Sequence, residues 1–298
     1  MRGFDGFEAA VAVLPWDIRR RALALSPGER AAAEELRLRA GQPPTALIGA
    51  GERSLGGREV TGEDLSSLLE AATHGSAHTA LAGVRAGFVP LPGGCRLGLC
   101  GEASVAEGGV LTLRRLSSAA LRIAGESRGC AAALERELLR AGARDTLIVS
   151  PPGAGKTTLL RELVRLLSTG GHRVAVADER GEIAGMCAGR PAFDLGPCAD
   201  VMTGAPKAAA AGMLIRAMGP EVLAMDEITS AEDVEAALFA AGCGVKLLAT
   251  AHAEGAELLR RRPLYRRLLD EGIFELCVTV RRAPDGRREY ALRRMADI

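Results

Sequence analysis

Aromatic side chains are nearly missing from this chain. They make up 3% of its 298 residues, with a single tryptophan at Trp16. A core must therefore rest on Leu, Val, Ile and Ala, and stacking platforms for single-stranded nucleic acid are not expected. Charge of one sign is missing too: the formal net charge is +1, so no bulk field draws the chain to nucleic acid or to an anionic membrane. No apolar run approaches the 18 or so residues of a membrane span. The opening MRGFDGFEAAVAVLPWDIRRR interrupts its apolar stretch with acids and Pro15, which leaves no signal-peptide core. Any work at a membrane is then expected from its surface, through a partner and without direct insertion. The seven cysteines (Cys95, Cys100, Cys130, Cys187, Cys198, Cys243, Cys277) form no CxxC pair, a pattern that fits reduced thiols in a cytoplasmic protein. His74 and His78 stand four apart without an HExxH glutamate, so a metal such as zinc is not expected there.

What the chain does have is aliphatic: apolar residues make up 48% of it, enough for a sizeable core, and its length suggests about two domains. Residues 1–125 read as a mixed α+β domain. A helical stretch over 16–25 precedes EELRLR, the turn AGQPP and TALIG, which form a strand pair. Thr61 with Asp64 three residues on starts a helix through LSSLLEAAT. Four strands are then expected over 87–91, 95–105, 110–116 and 119–124, the first three separated by the turns PGG and EGG. The boundary falls near Gly125–Gly129, where the helix CAAALERELLRAG leads into the second domain, 126–298. From there strands alternate with helices: DTLIVS, RVAVAD, EVLAMD and VKLLAT. Each is almost wholly apolar, the mark of strands buried on both faces of a parallel sheet. Ligands of such sheets collect at the carboxyl ends of the strands.

At the first of those ends stands Ser150-Pro151-Pro152-Gly153-Ala154-Gly155-Lys156-Thr157-Thr158, followed by the amphipathic LLRELVRLL. Strand, turn and helix occur in the order a phosphate-binding loop requires. Gly153 and Gly155 let backbone N–H groups turn toward an anion, and the helix directs its positive end to the same point. Lys156 is expected to reach the β- and γ-phosphates and the Thr157 hydroxyl to ligate Mg²⁺. The motif departs from GxxxxGK[ST] at its first position, which is Ser150. ATP with Mg²⁺ is the ligand this pattern implies.

The other strand ends add acids. Asp226-Glu227 follows EVLAM, so that Asp226 would hold Mg²⁺ and Glu227 would polarise the attacking water. RVAVAD ends in Asp178-Glu179-Arg180, with Glu182 beyond. Glu179 is the alternative base, and the group is expected near the metal or the lytic water. VKLLAT runs into His252, at the position of a γ-phosphate sensor. A basic C-terminal segment, with a hairpin arm DGRREYALRR after the turn PDG, reads as a solvated face or as a contact with an acidic partner.

DEITSAEDVEAALFAAGCGVKLLATAHA resembles the acid-ended strand and histidine region of the secretion and pilus-retraction ATPases, and DERGEIAG falls where that superfamily has its acidic box. ELRLRAGQPP, GFVPLPGGCRLGLCGE, LSSAALRIA, SPPGAGKTTLLREL, VADERGEIAG and MLIRAMGPEVLAMDEI together resemble the stage III sporulation protein AA family of endospore formers. The resemblance covers nearly the whole chain. It implies a RecA-like P-loop NTPase core with a smaller N-terminal α+β domain. It also implies ATP hydrolysis in the mother cell and a homo-oligomeric, hexameric ring. Its partners would be membrane-bound channel proteins that join mother cell and forespore. Active sites completed by another domain or subunit are implied as well. Arg96, Arg114, Arg115 and Arg122 are candidates for that cation, with Arg180 and Arg216 nearer in sequence. A RecA-type nucleic-acid motor and a nucleotide-dependent assembly switch with little turnover are the competing readings. No LSGGQ-like signature precedes Asp226 to suggest an ABC-type ATPase.

Overall fold

The computed structural model describes residues 6–49, 51–106, 109–125, 127–139, 142–187, 189–283 and 287–298. The chain divides into two compact units, residues 1–125 with 185–192, and residues 126–184 with 193–298.

The first unit begins with three short helices, α1 (Gly6–Val11), α2 (Trp16–Ala22) and α3 (Pro27–Ala32). They are followed by β1 (Ala33–Arg39), β2 (Thr45–Ile48), β3 (Gly51–Ser54), α4 (Gly62–Ala72), α5 (Ala77–Ala86), β4 (Phe88–Pro90), β5 (Arg96–Ala106) and β6 (Gly109–Arg122). The strands make one antiparallel sheet in the order β3-β2-β1-β6-β5-β4. Helix α4 starts where Thr61 and Asp64 predict it, with a reciprocal capping box that satisfies two backbone donors. Leu65 and Leu68 of α4 are fully buried in the same core as Leu36, Leu38, Leu97 and Leu121 of the sheet.

One expectation fails here. Residues 110–116 and 119–124 are not two strands: β6 runs unbroken from 109 to 122. Cys100 faces Ser118 and Gly101 faces Leu116, so Ser117 is the extra residue of a bulge rather than a turn. Its carbonyl accepts from the Ala40 amide at 2.9 Å. The EGG and PDG turns fall largely on 107–108 and 284–286, outside the described residues.

The second unit comprises α6 (Ala132–Leu139), β7 (Thr146–Ser150), α7 (Lys156–Thr169), β8 (Val174–Asp178), β9 (Ala199–Thr203) and α8 (Lys207–Met218). Then come β10 (Val222–Glu227), α9 (Ala231–Gly242), β11 (Lys246–His252), α10 (Pro263–Asp270), β12 (Leu276–Arg282) and β13 (Arg288–Arg294). Its sheet runs β13-β12-β7-β11-β10-β8-β9. All neighbours pair in parallel except the edge hairpin β12–β13. Strands β7 and β8 are buried at every residue, which is why they lack alternation. Alanines at 210, 211, 236, 237 and 240 bring α8 and α9 onto the sheet, so a core with few aromatics still closes. Strand β9, half-buried at the edge, carries too little apolar signal to be read from sequence. Among the described residues no helix is long and apolar enough to cross a membrane.

Candidate functional site

Parallel strands present their carboxyl ends on one side, and here those ends carry the polar residues. The turn Pro151–Gly155 follows β7, with Gly153 at φ +73° and Gly155 at φ +105°. Gly155 is the N-cap of α7, and no side chain caps that helix. The first amides of a 14-residue helix are therefore left to an exogenous acceptor. Helix α7 is held by its apolar face (Leu159, Leu160, Leu163, Val164, Leu167). It is also held by the buried Arg161, which donates to the carbonyls of Ile183 and Glu182, both at 2.7 Å.

Lys156 points across to the neighbouring strand ends. Its Nζ lies 3.0 Å from His252 Nε2 and 3.6 Å from Glu227 Oε2. His252 Nε2 is 3.0 Å from the same carboxylate oxygen. The other ring nitrogen, Nδ1, is 3.2 Å from the Ser150 carbonyl. A carbonyl only accepts, so a hydrogen bond there needs the proton on Nδ1. Nε2, 3.0 Å from both the ammonium and the carboxylate, accepts from Lys156 when it is bare and donates to Glu227 when it is protonated. Register explains the meeting: His252 pairs with Ser150 at the top of β11 and β7.

Adjacent strand residues normally face opposite sides, which would separate Asp226 from Glu227. The β10–β11 register shifts between Met225 and Glu227, and both acids reach the start of α7. Asp226 Oδ1 accepts from Thr157 Oγ1 at 3.5 Å and from Thr250 Oγ1 at 3.3 Å. One carboxylate with hydroxyl neighbours suits a hard cation that keeps waters and phosphate oxygens as its remaining ligands. Among the described residues no cluster of three His, Cys, Asp or Glu forms a protein-only metal cage.

The acidic group after β8 divides. Asp178 is 1% exposed and accepts from the Ala184 amide at 2.9 Å and the Ile183 amide at 3.1 Å. It ties the following turn together. Burial pushes its carboxyl above the ordinary range, and the nearby Asp226 charge adds to that. Glu179 is exposed and accepts from the Lys207 amide at 3.3 Å, so it stands one residue removed from Glu227. Arg180 and Arg216 are both exposed. Arg96, Arg114, Arg115 and Arg122 all belong to the first unit, on β5 and β6. Arg96 stacks 3.8 Å over the Phe88 ring, and Arg114 and Arg115 line a groove of about 590 Å³ beside α4.

Two residues of this region escape the sequence reading. Lys207, 7% exposed, donates to the Glu227 carbonyl and ion-pairs Asp233 at 3.2 Å. A lysine in the first turn of a helix opposes the dipole, and that anomaly is the signal that could have found it. Tyr265 donates to the Ile228 carbonyl at 2.6 Å, and burial pushes its phenol up to about 12. Together they fix the backbone just after the acid pair.

The family model for "Sporulation stage III, protein AA" matches residues 8–288. The stage III sporulation protein AA of Bacillus subtilis (strain 168) is 38% identical over 255 residues, covering 84% of this chain and 83% of that protein. Among solved structures, the Legionella pneumophila ATPase DotB is similar with a TM-score of 0.60 and 19% identity, over 89% of this chain and 77% of that one. The pilus retraction motor PilT, solved with bound ADP, gives a TM-score of 0.60 and 20% identity over 90% and 82%. At such identities the two structures speak for a shared fold. The sequence match goes further: this chain belongs to the stage III sporulation protein AA family.

Proposed function

We propose that the chain is a P-loop ATPase with a RecA-like core, residues 126–298, and a smaller N-terminal α+β domain. We infer that it works as a hexameric ring in the mother-cell cytoplasm, where membrane-bound channel proteins would recruit it. There it energises or gates the passage between mother cell and forespore. The observation that carries this reading is the convergence of Lys156, Glu227 and His252, with Thr157 and Asp226 alongside, at three neighbouring strand ends over an uncapped helix. The fold shared with two ATPase structures supports it.

In this reading the amides after Gly155 and the Lys156 ammonium bind the β- and γ-phosphates. Thr157 and Asp226 hold the Mg²⁺ that travels with ATP, and that ion supplies charge neutralisation at the phosphates. Arrival of the γ-phosphate draws Lys156 away from Glu227. The freed carboxylate then orients a water, and His252 is left facing the phosphate from the Ser150 side. The same Lys156–Glu227–His252 contact favours a second reading, a nucleotide switch with little turnover, because hydrolysis needs that contact opened.

Glu227→Gln separates the two. It should bind Mg·ATP as the wild type does, while turnover falls by about 10²-fold or more. Full-length enzyme should also gain specific activity as its concentration rises, with or without DNA. Turnover that survives in the variant would transfer the base to Glu179. Absence of turnover in the wild type at every concentration would favour the switch.

A further inference from the structure

The hairpin β12–β13 carries an arginine to the loop before α7. Strand β12 pairs with β7 as far as Thr279 opposite Val149 and then continues to Arg282. The hairpin therefore rises past the end of β7, to the height of the Pro151–Gly155 turn. Arg282 faces Arg288 across the pair, so the returning strand enters at that height. A methyl group placed on Gly155 would lie 2.5 Å from Arg288 Nε and 2.9 Å from its Cδ. The arginine side chain thus packs directly on the loop backbone.

Its placement is anchored. Arg288 and Tyr290 share one face of β13, and the Tyr290 hydroxyl is hydrogen-bonded to the Cys130 thiol. That thiol in turn lies 4.0 Å from the Thr158 carbonyl in the first turn of α7. Burial pushes the Tyr290 phenol up to about 12, so it stays protonated and the anchor persists at physiological pH. On the same strand Arg293 is paired with Glu257 at 2.8 Å. Arg288 has no carboxylate partner among the described residues and is exposed.

We propose that Arg288 is a phosphate-contacting residue of the nucleotide site, supplied in cis by the C-terminal hairpin. The proposal rests on the nucleotide reading above and adds the element that reading lacks, a guanidinium against Gly155, the residue before Lys156. A guanidinium on one side of the loop and the Lys156 ammonium on the other, toward Glu227 and His252, suit a nucleoside di- or triphosphate better than a monophosphate. A planar guanidinium can engage two phosphate oxygens at once. The basic C-terminal segment then has a definite use at one of its arginines, and the loop needs no residue from the first unit to acquire a second cation.

The test uses the full chain and a fluorescent ATP or ADP analogue titrated at two salt concentrations, with KM and kcat measured beside it. Arg288→Ala should weaken both nucleotides by about tenfold or more, the scale of one lost charge-assisted hydrogen bond. It should also flatten the salt dependence of binding, which a purely structural role would not do. Arg288→Lys should recover part of the loss, and Arg294→Ala, at the far end of the strand, should bind as the wild type does. If Arg288→Ala fails to fold, Arg288→Gln, which keeps the stem over Gly155, carries the same expectation. Wild-type affinity and salt dependence in Arg288→Ala, together with lost binding in Lys156→Ala, would overturn the proposal and leave the nucleotide reading intact. Unchanged binding in Lys156→Ala would instead overturn the nucleotide reading itself.

Discussion

Strands β7 and β6 are built to opposite rules. All five residues of β7 are buried, inside a parallel sheet covered on both faces. Of the fourteen in β6, only Ala119 and Leu121 are, both near its carboxyl end. The first arrangement leaves a strand nothing polar along its length, so its chemistry is confined to its end. The second spreads charge and serine along the strand and leaves Val110 and Leu111 in solvent. The difference teaches where to look for function in this chain. In the second unit the acids, the lysine and the histidine are forced to the strand ends and therefore meet. In the first unit the arginines of β5 and β6 fall at two places, Arg96 opposite Arg122 and Arg114 next to Arg115 at the groove beside α4, and pairing along long strands rather than strand ends sets where they sit.

Stability should divide along the same line. Leu147→Ala, at the second residue of β7, removes a fully buried side chain and should cost about 2–5 kcal/mol in denaturant unfolding. Val110→Ala, 42% exposed on β6, should stay within about 0.5 kcal/mol of wild type. Equal losses at the two positions would break the comparison.

Acid should act on the two units in opposite senses. In the first unit the Arg58 guanidinium, with help from the Thr61 amide and hydroxyl, holds the Asp64 carboxyl down at about 2, against an ordinary value near 3.8. A depressed folded-state value means the contribution is complete above about pH 4 and fades as pH falls toward 2. Thermal melts of Asp64→Asn should therefore lose less than wild type over that interval. Asp178 is the reverse case: burial raises its folded-state value, so its charged form costs stability, and the cost grows as pH rises through that value. The stability of Asp178→Asn relative to wild type should be greater at pH 8 than at pH 4, by a smaller margin. A wild-type-like pH profile in either variant would remove the electrostatic part of the contrast.

Much of the second unit is legible in the amino-acid sequence because β7, β8, β10 and β11 are uninterrupted apolar runs whose ends announce themselves. Lys156, Asp226, Glu227 and His252 can be named on that ground alone. Strand β9 cannot, since Ala199–Thr203 lies half-buried at an edge. The expected break in β6 fails because Ser117 looks like a turn residue, whereas pairing across the sheet absorbs it as a bulge. Position alone groups Asp178 with the site, and only the amides of Ile183 and Ala184 reveal its structural use. The contact between Arg288 and Gly155 depends on the register of a hairpin at the sheet edge. No local pattern distinguishes that arginine from its basic neighbours.

The central claim is that the strand-end residues of the second unit form a nucleotide site. Calorimetric titration of full-length wild type and Lys156→Ala with Mg·ATP tests it most directly. The account predicts a saturable, one-site heat for wild type and, in a variant that melts at the wild-type temperature, loss of most of that binding together with hydrolysis. Equal affinity and turnover in the two proteins would contradict it.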